Sequence, residues 1–269
     1  MPPNSNPSLD EGTHHDEKHE CKTLLVRGTS QSSHFAQALF IVYRSVDVLV
    51  QYMILSSNTY YSFANRFLRG EGVTNRSYST VSHANSTILF FMVLIAYAKQ
   101  IYWVLAVSSN TVTPTTSFLI SLFNLTCNSA NTLLFVNTPS SAYTAKDLTT
   151  PSPMLFGVGL FLLGITLEWS SEIQRTNFKE NPRNKGKIYT RGLFGYARHV
   201  NYSGYICWRT GFALASAGWT WGLFIFSAFV WDFMRRGIPE LEVYCEKKYG
   251  EQWERYKDDV PYRLLPFVV

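Results

Sequence analysis

Cysteine is scarce in this 269-residue sequence, and its four copies are widely separated, at Cys21, Cys127, Cys207 and Cys245. Because no Cys-x-x-Cys pair occurs, neither a zinc site nor a disulfide framework is indicated. A Gly-x-Gly-x-x-Gly motif after a strand is also missing, so any dinucleotide would have to bind without a Rossmann unit. No signal-peptide apolar region precedes the first long apolar run, and we therefore expect an internal signal-anchor to direct targeting.

Apolar residues, in contrast, make up 46% of the chain. Four apolar runs are each close to the ~20 residues that a helix needs to cross the hydrocarbon core of a bilayer. They lie at about 35–56, 86–107, 116–137 and 154–171. Arg44 and Asp47 interrupt the first run, but their spacing of three places them on one helix face, so we expect them to pair inside a bundle.

A fifth apolar region, 203–234, is too long for one crossing and is broken at Ala217-Gly218-Trp219. We expect a tight helical hairpin whose arms, each of ~15 residues, return to the same side of the membrane. The predicted fold class is all-α, a polytopic membrane helix bundle with a C-terminal helical hairpin and a cytosolic cofactor-binding tail.

Three parts of the chain differ in composition. Residues 1–34 mix acidic residues with four of the six histidines and show almost no apolar periodicity, which predicts a disordered tail. Residues 35–150 would form the N-terminal transmembrane helices and the substrate pocket. Residues 151–269 would form a C-terminal domain that carries the cofactor site.

The most basic loop between apolar runs is 172–202, and the hairpin returns a second basic segment to the same side. Excess lysine and arginine beside membrane spans indicates the cytosolic face. We therefore expect an integral membrane protein, in the endoplasmic reticulum, whose cofactor site faces the cytosol. Its contacts would be membrane lipids and a lipophilic small molecule, and nucleic acid is the least favoured partner because the basic blocks flank apolar spans.

Polar residues also lie inside two of the predicted spans. Ser121, Asn124, Asn128 and Asn131 form one helical stripe, which either hydrogen-bonds to neighbouring helices or orients a cofactor or a substrate carbonyl.

In the second span, Lys99 needs a buried partner or must extend toward the interface. Tyr102, one turn further, is a candidate proton donor, because a nearby positive charge lowers the pKa of a phenol. The alternative is an ordinary interfacial tyrosine.

The segment that follows the fourth run carries Arg175 and Lys179, four residues apart on one helix face, an arrangement that suits a doubly charged phosphate. Further along, the next apolar helix is preceded by Arg198 and His199, and its first turn carries Asn201 and Tyr202. Free backbone N–H groups at a helix start favour phosphate, and a tyrosine ring can cover an adenine or nicotinamide.

Three motifs complete the pattern. They are Gly-Leu-Phe-x-x-x-Arg-His-x-Asn-Tyr-x-Gly at 192–204, Lys-Tyr-Gly-x-x-Trp-x-x-Tyr at 248–256 and Val-Pro-Tyr-Arg-Leu-Leu-Pro at 260–266. Together they resemble the C-terminal half of the sterol C14-reductase and steroid 5α-reductase superfamily, particularly a branch of uncharacterised microbial proteins with the same C-terminal domain. The isoprenylcysteine carboxyl methyltransferases share a similar C-terminal hairpin, so the resemblance alone does not identify the cofactor.

The resemblance covers about 154–269 and implies roles for individual residues. Asn201 and Tyr202 match the Asn-Tyr pair that contacts NADPH in the reductases. Arg175 and Lys179 match basic residues of the same site. The cofactor-binding residues implied by the motifs are Arg175, Lys179, Arg198, His199, Asn201, Tyr202, Arg235, Glu242, Lys248, Tyr249 and Tyr256.

Two departures from the reductase pattern occur. Tyr205 replaces the acidic residue that commonly follows the Asn-Tyr-x-Gly motif, and the Arg-Asp-Glu triplet of the sterol enzymes reads Glu240-Leu241-Glu242. Arg235 and Arg236, one turn upstream, would supply the missing positive charge.

The sequence therefore predicts a membrane-embedded, NADPH-dependent reductase of a carbon–carbon double bond in a sterol, steroid enone or terpenoid. A methyltransferase that uses S-adenosylmethionine is the main alternative, although its cofactor lacks the phosphates that the basic residues suit. A non-catalytic membrane protein that kept the same domain is the third. No metal site is expected.

Overall fold

The computed structural model describes residues 34–56, 83–108, 112–137 and 152–264. These parts of the chain are helical and contain no strand. The helices are α1 (His34–Ser56), α2 (His83–Tyr102, continued by a π-helical turn, Trp103–Val107), α3 (Pro114–Asn137), α4 (Pro153–Glu180), α5 (Val200–Asp232, followed by a π-helical turn, Phe233–Gly237), α6 (Ile238–Tyr249) and α7 (Glu251–Asp259). Residues 1–33 of the predicted disordered tail lie outside the described residues, and His34, its last residue, begins α1.

Five helical segments of the described chain are long and apolar enough to cross a membrane. Helix α1 shows why a bilayer suits them, because its polarity is inverted relative to a water-soluble helix. It buries Arg44, Asp47 and Gln51 completely, whereas Leu49 and Met53 are more than half exposed. Polar side chains facing inward and apolar side chains facing outward are the arrangement that lipid favours.

Helices α1 and α3 run parallel and in register. Three hydrogen bonds join them, from Ser117 Oγ to the Ala36 carbonyl (2.7 Å), from Asn128 Nδ2 to Asp47 (2.8 Å) and from Thr132 Oγ1 to Gln51 Oε1 (2.5 Å). Each joins residues 81 positions apart. Of the predicted polar stripe on α3, Asn128 therefore contacts α1, whereas Asn124 accepts a hydrogen bond from Gln100 of α2 and Asn131 accepts one from Trp221 of α5.

Helices α4 and α5 form the tightest contact of the bundle, at two glycines on each helix. A Cβ added at Gly164 would lie 2.3 Å from the Trp208 backbone nitrogen, and one added at Gly204 would lie 2.5 Å from the Glu168 backbone nitrogen. Gly157 and Gly211 are equally close to the opposite backbone. Small residues of this kind let transmembrane helices approach closely.

The predicted hairpin is confirmed within α5. Gly218 interrupts the helix with φ of 80°, a conformation that glycine adopts without strain. The chain then returns, and the Tyr202 and Phe233 rings stack with centroids 4.5 Å apart. An uninterrupted helix would separate these residues by roughly 45 Å.

The C-terminal segment closes the end of the bundle at which α5 begins. The backbone N–H groups of Arg198 and His199 donate to the carbonyls of Tyr262 (2.9 Å) and Arg263 (2.8 Å). Ser203 Oγ donates to the Leu264 carbonyl. Helices α6 and α7 and residues 260–264 are thereby held against the start of α5.

Candidate cofactor site

A buried carboxylate lies at the centre of this end of the bundle. Glu172 is 5% exposed and its Oε1 accepts a 2.9 Å hydrogen bond from Asn201 Nδ2. Its other oxygen is ion-paired with Arg175. Two predicted site residues, Asn201 and Arg175, are thus joined through Glu172, a residue that was not among the predicted site residues.

An open cluster of positive charge adjoins Glu172. Arg175, Lys179 and Lys248 lie close enough to interact electrostatically, and we call them the cationic patch. Lys179 remains exposed at its surface, yet partial desolvation by surrounding protein, together with repulsion from Arg175 and Lys248, lowers its pKa to about 8. With Glu172 as the neighbouring anion, three cations leave a net charge of two positive units, which suits an anionic ligand.

Tyr249 borders the cationic patch. Lys248 Nζ lies 5.5 Å from the centroid of the Tyr249 ring and donates a 2.9 Å hydrogen bond to the Tyr244 hydroxyl. Burial raises the pKa of Tyr249, so its phenol stays neutral near pH 7. A neutral aromatic ring beside lysine provides a surface against which a ligand ring can pack.

Other predicted site residues instead hold the scaffold together. Arg198 is buried, and its guanidinium donates to the Val260 carbonyl (2.6 Å) and to Glu242 (3.4 Å). The Tyr256 hydroxyl donates to the Phe194 carbonyl (2.7 Å). These contacts attach α6, α7 and the C-terminal segment to the start of α5.

The predicted role of free N–H groups at the start of α5 is corrected at two positions. The N–H groups of Arg198 and His199 already donate to carbonyls of the C-terminal segment, so they are not available to a phosphate. The physical reason is that the returning chain satisfies these exposed donors itself.

His199 is 1% exposed, and burial lowers its pKa, so the imidazole is neutral at pH 7. Its ring stacks on Tyr202 at 5.6 Å and its Nε2 lies 3.9 Å from Glu242. Tyr202 also stacks on Phe233, as described above. The aromatic stack fixes the orientation of the first turn of α5, from which Asn201 reaches Glu172.

Arg235 and Arg236 lie in the exposed π-helical turn that follows the hairpin. Arg236 makes two hydrogen bonds to Asp232, at 2.9 and 2.8 Å, and is therefore already paired. The roles of Arg235 and Arg236 stay predictions.

Tyr102 lies at the same end of the bundle. Its ring is 5.5 Å from that of Trp169, which precedes Glu172 by three residues on α4. Lys99, three residues before Tyr102, is ion-paired with Glu168, which directly precedes Trp169 and whose second oxygen accepts a 2.6 Å hydrogen bond from Trp208 Nε1. Lys99 thus has the buried partner that its position requires.

The chemistry of this end of the bundle fits a phosphorylated nucleotide. The cationic patch supplies N–H donors and a net positive charge, Tyr249 supplies an aromatic face, and Asn201 and Glu172 supply an amide and a carboxylate for hydroxyl or amide groups. Glu168 and Glu172 together form a buried acidic face on α4. In the sequence this face is indicated by two glutamates four residues apart at the end of an apolar run.

Comparisons with known proteins identify the family of the chain. A family described as proteins of unknown function (DUF1295) matches residues 108–260. The chain is 36% identical over 239 residues to the probable O-methyltransferase ustE of Ustilaginoidea virens, and the match covers 84% of each protein.

Two further matches cover only part of each protein. The chain is 35% identical over 82 residues to 7-dehydrocholesterol reductase of Danio rerio, covering 30% of this chain and 17% of that protein. It is 28% identical over 109 residues to protein-S-isoprenylcysteine O-methyltransferase of Schizosaccharomyces pombe, covering 39% and 46%. The resemblance predicted from the motifs is confirmed, and the chain belongs to the DUF1295 family of helical membrane proteins related to sterol reductases and isoprenylcysteine methyltransferases.

Proposed function

We propose that the protein is a membrane-embedded, NADPH-dependent reductase of a carbon–carbon double bond in a lipophilic substrate. The observation that carries the proposal is the cationic patch, in which three cations face one carboxylate. A 2′-phosphate carries close to two negative charges at neutral pH, which matches the net charge of the patch. The partial likeness to 7-dehydrocholesterol reductase supports the same chemistry.

In this proposal Arg175, Lys179 and Lys248 bind the phosphates, and Asn201 orients a polar group while Glu172 holds its amide in place. NADPH supplies the hydride when it is bound. Tyr102 is the proposed proton donor, holding its proton on the hydroxyl beside Trp169 until the second alkene carbon accepts it. The lipid-facing helices admit the substrate from the bilayer, and the basic residues of 172–202 favour a cytosolic orientation in the endoplasmic reticulum.

The proposal is tested with purified protein in lipid nanodiscs. We expect NADPH to raise the melting temperature and to bind at least about tenfold more tightly than NADH, because only NADPH carries the 2′-phosphate. Lys179→Gln should remove most of that preference. Lys247→Gln is the matched control, because it removes the same charge from an exposed lysine next to Lys248 and should leave the preference intact. Failure of NADPH to bind wild-type protein would contradict the reductase.

The lowered pKa of Lys179 gives a second prediction, in the pH dependence of binding. Below about pH 8 the ammonium is charged and attracts phosphate, whereas above it the neutral amine does not. The affinity for NADPH should therefore fall by up to roughly tenfold between pH 7 and pH 9.

The second pKa of the phosphate is about 6, so its charge changes only slightly between pH 7 and pH 9 and contributes little to the change in affinity. Lys179→Gln should bind weakly at both pH values, with a nearly flat profile, whereas Lys247→Gln should retain the wild-type profile. Titrations at pH 7, 8 and 9 measure this, and an unchanged slope in Lys179→Gln would show that another group is responsible.

An O-methyltransferase is the second candidate function. The observation that favours it is the match to the probable O-methyltransferase ustE, which covers 84% of both proteins. In that case S-adenosylmethionine, not NADPH, should raise the melting temperature, and Asn201→Ala should weaken its binding. A thermal-shift comparison of the two cofactors on the same preparation separates the two functions.

A further inference from the structure

A second concentration of polar groups lies deeper in the bundle, where α1, α2, α3 and α5 meet. We call it the interior polar centre, and it consists of Arg44, Asp47, Gln100, Ser121, Asn124, Asn128 and Arg209, all of them buried. Arg209 is eight residues beyond Asn201 on α5, so the centre lies about 12 Å further into the bundle. It is separate from the candidate cofactor site.

Most of its polar atoms are satisfied by one another. Asp47 accepts hydrogen bonds from Arg44, from Gln51 Nε2 (2.8 Å) and from Asn128 Nδ2 (2.8 Å). Arg209 donates to Asn124, to Asn128 Oδ1 (3.3 Å) and, through Nε, to the Tyr205 hydroxyl (3.1 Å). These bonds join α1, α3 and α5.

Four polar atoms of the centre are buried without a hydrogen-bond partner: Arg44 Nε, Arg44 Nη2, Gln100 Oε1 and Ser121 Oγ. The register of α1 and α3 places Arg44 level with position 125, next to Asn124. Gln100 contacts Asn124 directly, through a 2.8 Å hydrogen bond, and Ser121 lies one turn away on the same face. The unsatisfied atoms therefore belong to residues at neighbouring levels of the bundle.

The two free donors of Arg44 form a particular geometry. Nη1 contacts Asp47, whereas Nε and Nη2 are adjacent and lie on the same edge of the guanidinium plane. This edge presents two parallel N–H groups and is the edge with which arginine binds a carboxylate through both of its oxygens. Leaving it unpaired at 0% exposure within a membrane bundle is costly.

The charge of the centre is also unbalanced. Arg44 and Arg209 contribute two positive charges and Asp47 contributes one negative charge. The nearby ion pair of Lys99 and Glu168 is neutral as a unit. A single negative charge added beside Arg44 would balance the centre, and a carboxylate provides both that charge and two acceptor oxygens.

We infer that the interior polar centre binds the carboxylate of a lipophilic acid, with the Nε–Nη2 edge of Arg44 donating to both carboxylate oxygens and with Ser121 completing the contacts. The inference rests on the proposed function in one respect, that this acid is the substrate of the reductase. The substrate class would then be terpenoid or other hydrophobic acids and not neutral sterols. The carboxylate would lie about 12 Å from Asn201, so it serves for recognition and takes no part in the reaction. The hydrocarbon body of the acid would then extend to the cofactor site.

Binding of a matched ligand pair tests this directly. The probes are farnesoic acid and its methyl ester, added at pH 8 without cofactor to full-length protein in nanodiscs. We expect the acid to bind at least about tenfold more tightly than the ester, because only the ionised acid balances the charge and occupies the Arg44 edge. Equal binding of acid and ester to wild-type protein would overturn the inference.

Two variants localise the effect. Arg44→Gln should reduce the preference for the acid to near unity, whereas Asp47→Asn, which removes the competing anion, should strengthen acid binding about tenfold. Ser45→Ala is the control, because the Ser45 hydroxyl bonds to Tyr97 and to the Ile41 carbonyl and to no residue of the centre.

If Arg44→Gln does not fold, the acid affinity of Asp47→Asn is the test that remains. An affinity equal to that of the wild-type protein would contradict the inference. The acid is titrated without cofactor, so this result is independent of NADPH binding. A protein that binds the acid but does not bind NADPH would refute the proposed reductase function and leave the carboxylate site standing. NADPH binding without acid preference would refute this inference alone.

Discussion

Replacing Glu168 by leucine should destabilise the protein by about 3–5 kcal/mol, the usual cost of leaving a buried ion pair with only one partner. Lys99 is 5% exposed and would lose its only ion-pair partner inside the described part of the bundle. Trp208 Nε1 would also lose its acceptor. The stability is measured by unfolding with a denaturing detergent, followed through tryptophan fluorescence.

A double variant shows whether the loss comes from the pair. Glu168→Leu combined with Lys99→Met removes both charges and should recover most of the lost stability, because apolar residues of similar volume can replace a buried ion pair. Glu251→Leu is the control, since its ion pair with Arg255 is exposed and should contribute almost nothing. A double variant as unstable as Glu168→Leu alone would show that Lys99 does not depend on Glu168.

The positions of the membrane helices follow closely from the apolar runs. The predicted runs 35–56, 86–107 and 116–137 correspond to α1, to α2 with its π-helical turn and to α3. The fourth run, 154–171, is the apolar part of α4, which continues to Glu180 and includes the helix face that Arg175 and Lys179 were predicted to share. Backbone hydrogen bonding does not stop where apolar composition ends, so hydropathy alone cannot locate this boundary.

The sequence predicted which residues belong to the candidate site, but it did not predict which of them contact one another. The motifs indicated Arg175, Lys179 and Asn201, and the structure joins two of them through Glu172. Nothing in the sequence specifies that a carboxylate on α4 meets an amide 29 residues later, because that contact depends on the approach of two helices. The scaffold role of Arg198 likewise depends on the return of the C-terminal segment, which is a tertiary effect.

The same reason explains the polar stripe on α3. Its spacing showed that Asn124 and Asn128 share a helix face, and that they must avoid lipid. Their partners, Arg209 and Asp47, lie 85 and 81 residues away along the chain. Amphipathic spacing therefore predicts which side of a helix is buried, whereas the choice of partner is made by the packing of the bundle.

Gly204→Ala should destabilise the protein by about 1–3 kcal/mol and weaken cofactor binding as well. The added Cβ would lie 2.5 Å from the Glu168 backbone nitrogen and 2.8 Å from the Gly164 carbonyl oxygen. Backbone atoms of a helix cannot rotate away as a flexible side chain can, so α4 and α5 must separate. Because Asn201 precedes Gly204 by one turn, this separation should lengthen the 2.9 Å contact of Asn201 with Glu172.

Gly159→Ala is the matched control on α4. An added Cβ there meets nothing within 4 Å, and alanine has the higher helix propensity, so stability should stay the same or rise by up to about 1 kcal/mol. Melting temperature and cofactor affinity are measured on both variants in nanodiscs. If Gly204→Ala lost stability but bound cofactor as tightly as Gly159→Ala does, the close approach of α4 and α5 would serve the fold alone. Loss of both properties together would show that the glycine contacts also set the geometry of Glu172 and Asn201.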